Sequence, residues 1–82
     1  MGISIDQQVI NYVARYVGPP ASAINSSTTF SSLGINTITD VIDLITACED
    51  NFGLVYQTGD EKGINTVGDL TALIKKKLGN SD

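Results

Sequence analysis

Thr37-Ile38-Thr39-Asp40-Val41-Ile42-Asp43-Leu44-Ile45-Thr46-Ala47-Cys48-Glu49-Asp50-Asn51-Phe52-Gly53 is the most strongly patterned stretch of the chain. Ile38, Val41, Ile42, Ile45, Cys48 and Phe52 recur at the spacing that gathers side chains on one face of an α-helix, while Asp40, Asp43, Ala47 and Asp50 fall on the opposite face. Thr37 with an acid three residues later, Asp40, has the form of a capping box, and Gly53 supplies a stop. The spacing therefore predicts a helix from about Ile38 to Phe52. Glu49 projects into its apolar arc, which amphipathicity does not account for; a place at the rim is expected.

Upstream of this helix, residues 21–36 are rich in Ser, Thr and Gly, with isolated apolar residues at Ile24, Phe30 and Leu33 that should pin an ordered connection to the core. A connection longer than about 12 to 15 residues is unusual in a compact domain unless it has a role of its own. Before it, Ile5, Val9, Val13 and Val17, with Ile10 and Tyr16 beside them, predict a first helix over residues 5–17. Ser4 and Gln7 form its capping box and Gly18-Pro19-Pro20 its stop.

Downstream, Leu54-Val55-Tyr56 reads as a short extended stretch and Thr58 to Gly63 as a polar turn, so a third helix there would be short or absent. The acids of that turn lack the alternate spacing and closing glutamate of a calcium loop, and no metal site is expected. Thr66 begins a last helix with Asp69 as its capping partner; Val67, Leu70, Ile74 and Leu78 form the buried stripe and Leu73 widens it. Lys75, Lys76 and Lys77 suit the exposed carbonyls of its C-terminal turn, a commoner role for such a run than phosphate binding. These elements must bury their stripes against one another, which predicts an all-α, small three- to four-helix bundle with a long loop between helices one and two, formed as a single domain over residues 1–82.

Composition narrows the function. A chain of 82 residues buries roughly 60 to 65% of its unfolded surface, enough for one modest core and little room for a dedicated substrate cavity. Apolar residues are 41% of the chain and aromatics 6%, so the core is built from Ile, Leu and Val. The net charge is −4, and between Arg15 and Lys62 no Lys or Arg occurs while six acids do. Such a stretch cannot neutralise phosphates, which argues against nucleic acid and for a basic protein surface as partner. Cys48 has no second cysteine for a disulfide and no histidine to activate it, so a buried structural thiol is expected. The Met1-Gly2 start shows no charged and apolar leader, and no apolar run reaches the about 18 residues of a membrane helix. A soluble, cytoplasmic, free-standing monomer is the expectation.

Thr29-Phe30-Ser31-Ser32-Leu33-Gly34-Ile35-Asn36-Thr37-Ile38, followed by an acidic amphipathic helix ending Glu49-Asp50-Asn51-Phe52-Gly53, resembles the acyl carrier and peptidyl carrier family. Members of that family show a Phe, a Leu-Gly, then Asp-Ser-Leu opening a helix that ends near a Phe. The first helix, the long loop and Asn65-Thr66-Val67-Gly68-Asp69-Leu70 fall in the same order, so the resemblance spans nearly the whole chain. It implies a carrier, not an enzyme: a phosphopantetheinyl transferase moves 4'-phosphopantetheine from coenzyme A to the serine, and the thiol of the arm then holds an acyl or aminoacyl group for fatty acid, polyketide or nonribosomal peptide biosynthesis. Independently of the resemblance, the chain has no histidine, no paired catalytic acids and no Gly-rich phosphate loop.

Matched on Leu33-Gly34, the Asp-Ser-Leu positions become Asn36, Thr37 and Ile38, all departures from the usual residues. Thr37 keeps a nucleophilic hydroxyl beside a methyl that crowds it, and Asn36 removes an acid. The stretch from Thr37 to Phe52 also holds one residue more than the family's, which a bulge or an altered helix start would absorb. Matched backward from Phe52, the serine column falls on Ile38, flanked by the hydroxyls of Thr37 and Thr39; Thr37 is the attachment candidate and Thr39 the weaker one. Ser32-Leu33 copies part of the motif but lies well ahead of the helix. Asp40, Asp43 and Asp50 resemble the face by which carriers dock on basic patches of synthase enzymes. Two bland roles stand beside these: Thr37 as a helix cap that contributes about 1 kcal/mol, and the acids as a solvated face. An unmodified carrier-fold domain that only docks is the competing function.

Overall fold

The computed structural model describes residues 4–79. Its elements are α1 (Ile5–Val17), α2 (Ile38–Phe52) and α3 (Val67–Lys77), with single 3-10 turns at Ala21–Ala23 and Ser31–Leu33 in the long connection. No strand forms among the described residues, apart from an isolated antiparallel bridge between Thr29 and Thr66. Between Gly53 and Thr66 the chain forms no helix, so the described residues make a bundle of three α-helices. The radius of gyration, 11.6 Å, matches the roughly 12 Å of a compact chain of this length.

Each helix starts where its cap does. Ser4, Thr37 and Thr66 hold extended backbone and accept from the amides of Gln7, Asp40 and Asp69 respectively. Only α3 completes the reciprocal box, with the Asp69 carboxylate accepting from the Thr66 amide. In α1 the Gln7 side chain runs along the helix instead, its amide donating to Asn11 Oδ1 at 2.9 Å. The α2 helix stops at Gly53, whose φ of 70° is left-handed and puts its amide on the Glu49 carbonyl.

Val9 and Val13 of α1, Leu44, Ile45 and Cys48 of α2, and Val67, Leu70 and Ile74 of α3 form the closed centre. Here α1 packs chiefly on α3 and less on α2. Two assignments made from the helical wheel are corrected. Leu44, not Ile38, belongs to the buried face of α2; Ile38 is 66% exposed because the first residue of the helix stands beyond the end of the core. Leu78 caps the end of α3 and is 41% exposed, so the α3 stripe closes at Ile74.

The long connection is pinned by Ile24 and Phe30, as expected, with Leu33 half-buried and Ile35 a further buried anchor. It is also stitched to the start of α3: the Phe30 amide donates to the Asn65 carbonyl, Val67 to Thr28, and Gly68 to Ser26, each at 2.9 Å. These bonds carry the loop across the molecule and deliver its last residues to the start of α2.

Candidate functional site

Thr37 closes the connection and opens α2. Its side-chain oxygen accepts the Asp40 amide at 3.1 Å, its carbonyl accepts the Val41 amide, and the residue is exposed. The Asp40 carboxylate makes no return bond, so half of the expected box forms. Helix starts leave amides without intrahelical partners and carry partial positive charge, which favours an anion beside them. Asn36 is exposed and its Oδ1 accepts from Ser31 Oγ at 3.1 Å, tying the residue before the cap to the preceding turn. Thr39, the weaker candidate, lies exposed in the first turn. The structure therefore brings Asn36, Thr37, Ile38 and Thr39 together at one end of α2, with two hydroxyls exposed there.

Beside Thr37 opens a surface cleft of about 470 Å³ between the start of α2 and residues 61–65, with Phe30, Ile35, Ile38, Val41 and Ile64 among its lining. Composition suggested little room for such a space; an arch of the chain from Gly53 to Asn65, which forms no helix, supplies one side of it. The arch is held by polar bonds. Glu49 Oε2 accepts the Tyr56 amide at 2.6 Å, Tyr56 donates its hydroxyl to Glu61, and Asp60 pairs with Lys77, whose ammonium also donates to the Val55 carbonyl. The Tyr56 bond raises the tyrosine pKa and lowers that of Glu61, and the Lys77 ammonium lowers that of Asp60. Glu49, unexplained by the helical wheel, thus anchors the chain just after its own helix. Ile35, Ile64 and the Asp60–Lys77 pair were not singled out from the sequence, because no local pattern joins residues so far apart.

On the outer face of α2, Asp43 and Asp50 are exposed and Asp40 is half-buried. Tyr16 of α1 lies beside this face: burial first, then the charges of Asp43 and Asp40, raise its pKa. Cys48 is buried among apolar side chains, which pushes its thiol up to about 12, so it is protonated and unreactive at neutral pH. Among the described residues no three His, Cys, Asp or Glu side chains gather to hold a metal ion, and no helix is long and apolar enough to cross a membrane.

No protein-family model matches the chain. It is 32% identical over 75 residues to the acyl carrier protein of Streptococcus thermophilus, covering 92% of this chain and 97% of that one. The acyl carrier protein of Streptococcus pyogenes serotype M1 is 31% identical over the same shares. Acyl carrier protein 3, chloroplastic, of Cuphea lanceolata is 32% identical over 62 residues, which are 76% of this chain and 43% of that protein. Among solved structures, the crystal structure of an acyl carrier protein from Thermotoga maritima superposes with a TM-score of 0.71 at 29% identity, over 92% of this chain and 87% of that one. With likeness of this degree along almost all of its length, in sequence and in fold, the chain belongs to the acyl carrier protein family.

Proposed function

We propose that this chain is a single-domain, monomeric acyl carrier of the cytoplasm, one that holds acyl intermediates for fatty acid or related biosynthesis on a 4'-phosphopantetheine arm rooted at Thr37. The family to which it belongs carries that arm and serves as carrier, not enzyme. The observation that carries the reading is the Thr37 hydroxyl, exposed at the start of α2 and at the mouth of the cleft. The group fits these residues. A phosphodiester there would face the unpaired amides of the first turn, and the apolar lining of the cleft lies within the arm's neighbourhood. When bound, the arm supplies a thiol for thioester formation. The chain itself presents the hydroxyl and offers Asp40, Asp43 and Asp50 to the transferase and to synthase enzymes with basic docking surfaces. The same presentation would serve polyketide or nonribosomal peptide assembly.

A second reading, an unmodified docking domain, is favoured by the hydrogen bond in which Thr37 already serves as a complete helix cap. Intact mass after incubation with coenzyme A and several phosphopantetheinyl transferases separates the two. A gain of one phosphopantetheine, lost in Thr37→Ala, is the expected result. No gain with any transferase, nor in protein recovered from its own cell, would select the docking reading.

A further inference from the structure

We infer that the cleft beside the start of α2 takes an aliphatic chain that ends in a carboxylate, with Lys62 as its counter-ion and the side-chain amides of Asn36 and Asn65 as further donors. The inference goes beyond the carrier reading and uses neither the arm nor the residue that bears it, so it is tested on the unmodified chain.

The floor and the rim of the cleft differ in chemistry. Phe30, Ile35 and Val41 are buried and Ile64 is half-buried, and together they make the floor apolar. The volume, about 470 Å³, lies within the roughly 300–1,000 Å³ of small-molecule pockets. Such a floor alone would accept any aliphatic chain and would prefer a neutral end group, because a carboxylate costs more to strip of water. The rim alters that preference. Asn36, Lys62 and Asn65 are exposed there, the first from the connection ahead of α2 and the other two from the arch. Each is left with a donor. The Ser31 hydroxyl occupies Asn36 Oδ1, which leaves the amide nitrogen to donate. The Asn65 backbone serves Phe30 and Asp69, but its side chain has no partner among the described residues, and the Lys62 ammonium makes no ion pair among them.

This cation runs against the trend of the chain. Between Arg15 and Lys75 it is the sole basic residue, in a protein with 9 acids and 5 bases. Lys75 and Lys77 are paired with Asp6 and Asp60, and Arg15 and Lys76 lie outside the cleft lining. The carboxylate in the lining, Glu61, has its Oε1 taken by the Tyr56 hydroxyl and the Gly59 amide, and neither of those residues lines the cleft. One ammonium with two amides matches the single charge and two oxygens of a carboxylate. A phosphate monoester, with about two charges at neutral pH, would set its second charge beside Glu61.

The test takes protein whose intact mass shows no added group, labels it with nitrogen-15, and titrates it with octanoate or octanol while the amide shifts of residues 35–38 and 61–65 are followed. Octanoate is expected to shift those amides and to bind more tightly than octanol, the reverse of what an apolar floor alone would give. Lys62→Gln, at an exposed position, is expected to weaken octanoate about two- to fivefold, the worth of an exposed ion pair, and to leave octanol unchanged; Lys76→Gln is expected to change neither. Monomethyl suberate, with a carboxylate at one end and an ester at the other, is compared with methyl octanoate, which has the ester alone. A preference for the former extends the site to a carried chain with a distal carboxylate, and no preference confines it to the free acid. Octanol bound as tightly as octanoate, octanoate binding that ignores Lys62→Gln, or shifts that fall outside the cleft overturn the inference, whatever the intact mass says of Thr37.

Discussion

Gly68 leaves no room for a methyl group. A Cβ there would lie 2.9 Å from the Ser26 carbonyl oxygen, the atom that accepts the Gly68 amide. Alanine would gain about 1 kcal/mol of helix propensity inside α3, but crowding a backbone carbonyl and weakening its hydrogen bond costs about 1–3 kcal/mol, so the clash wins. Gly68→Ala is expected to lower unfolding free energy in urea, and an unchanged or raised midpoint would show that the loop yields. The sequence displayed this glycine beside Thr66 and Asp69, yet nothing local said that the connection from forty residues earlier passes against it. Glu49 was opaque for the same reason, since its partner, the Tyr56 amide, lies beyond a left-handed turn. Thr37 and Cys48 were legible in their structural roles because a cap is read from its neighbours and a lone thiol in an apolar stripe has few alternatives.

The helices were readable almost to the residue because their ends are specified locally. Hydroxyls at Ser4, Thr37 and Thr66 meet the third amide of each helix, and Gly18 and Gly53 end the first two. The cap of α3 carries a pH dependence. Asp69 accepts the amides of Asn65 and Thr66, and these bonds hold its pKa below the ordinary 3.8. A carboxyl lowered in the folded state adds stability that is complete above its unfolded pKa and is lost as pH falls through the folded value. Asp69→Asn is therefore expected to melt below the wild type at pH 7, and the gap should close as pH falls below about 4. A gap that stays constant in acid would assign the loss to packing alone. What the wheel could not give was where along α2 the core ends, which leaves Ile38 exposed at the first residue, or that Leu44 is fully buried.

Across the whole molecule charge is divided: acids occupy the centre of the chain and the outer face of α2, and the lysines of α3 are partly spent within the fold, Lys75 on Asp6 and Lys77 on Asp60. Exposed rim charges act mainly on the rate of encounter and its salt dependence, with screening over about 8 Å at physiological ionic strength. Converting Asp43 and Asp50 to asparagine is expected to slow association with a basic carrier-binding enzyme several-fold at low salt, with little change in dissociation. Stopped-flow or surface-plasmon traces showing equal association rates would deny these acids a steering role. The bundle was foreseeable from three stripes and a long loop; the cleft was not, because it depends on a segment that lacks periodicity. That segment has a mechanical consequence. A wall built as a helix can move only as a rod or by breaking a cooperative ladder, whereas the arch from Gly53 to Asn65 is fastened at separate points, Glu49 to Tyr56, Tyr56 to Glu61 and Asp60 to Lys77. Because these bonds join distant parts of the chain one at a time, each can be removed by a single substitution that leaves the hydrogen-bond ladders of the three helices intact.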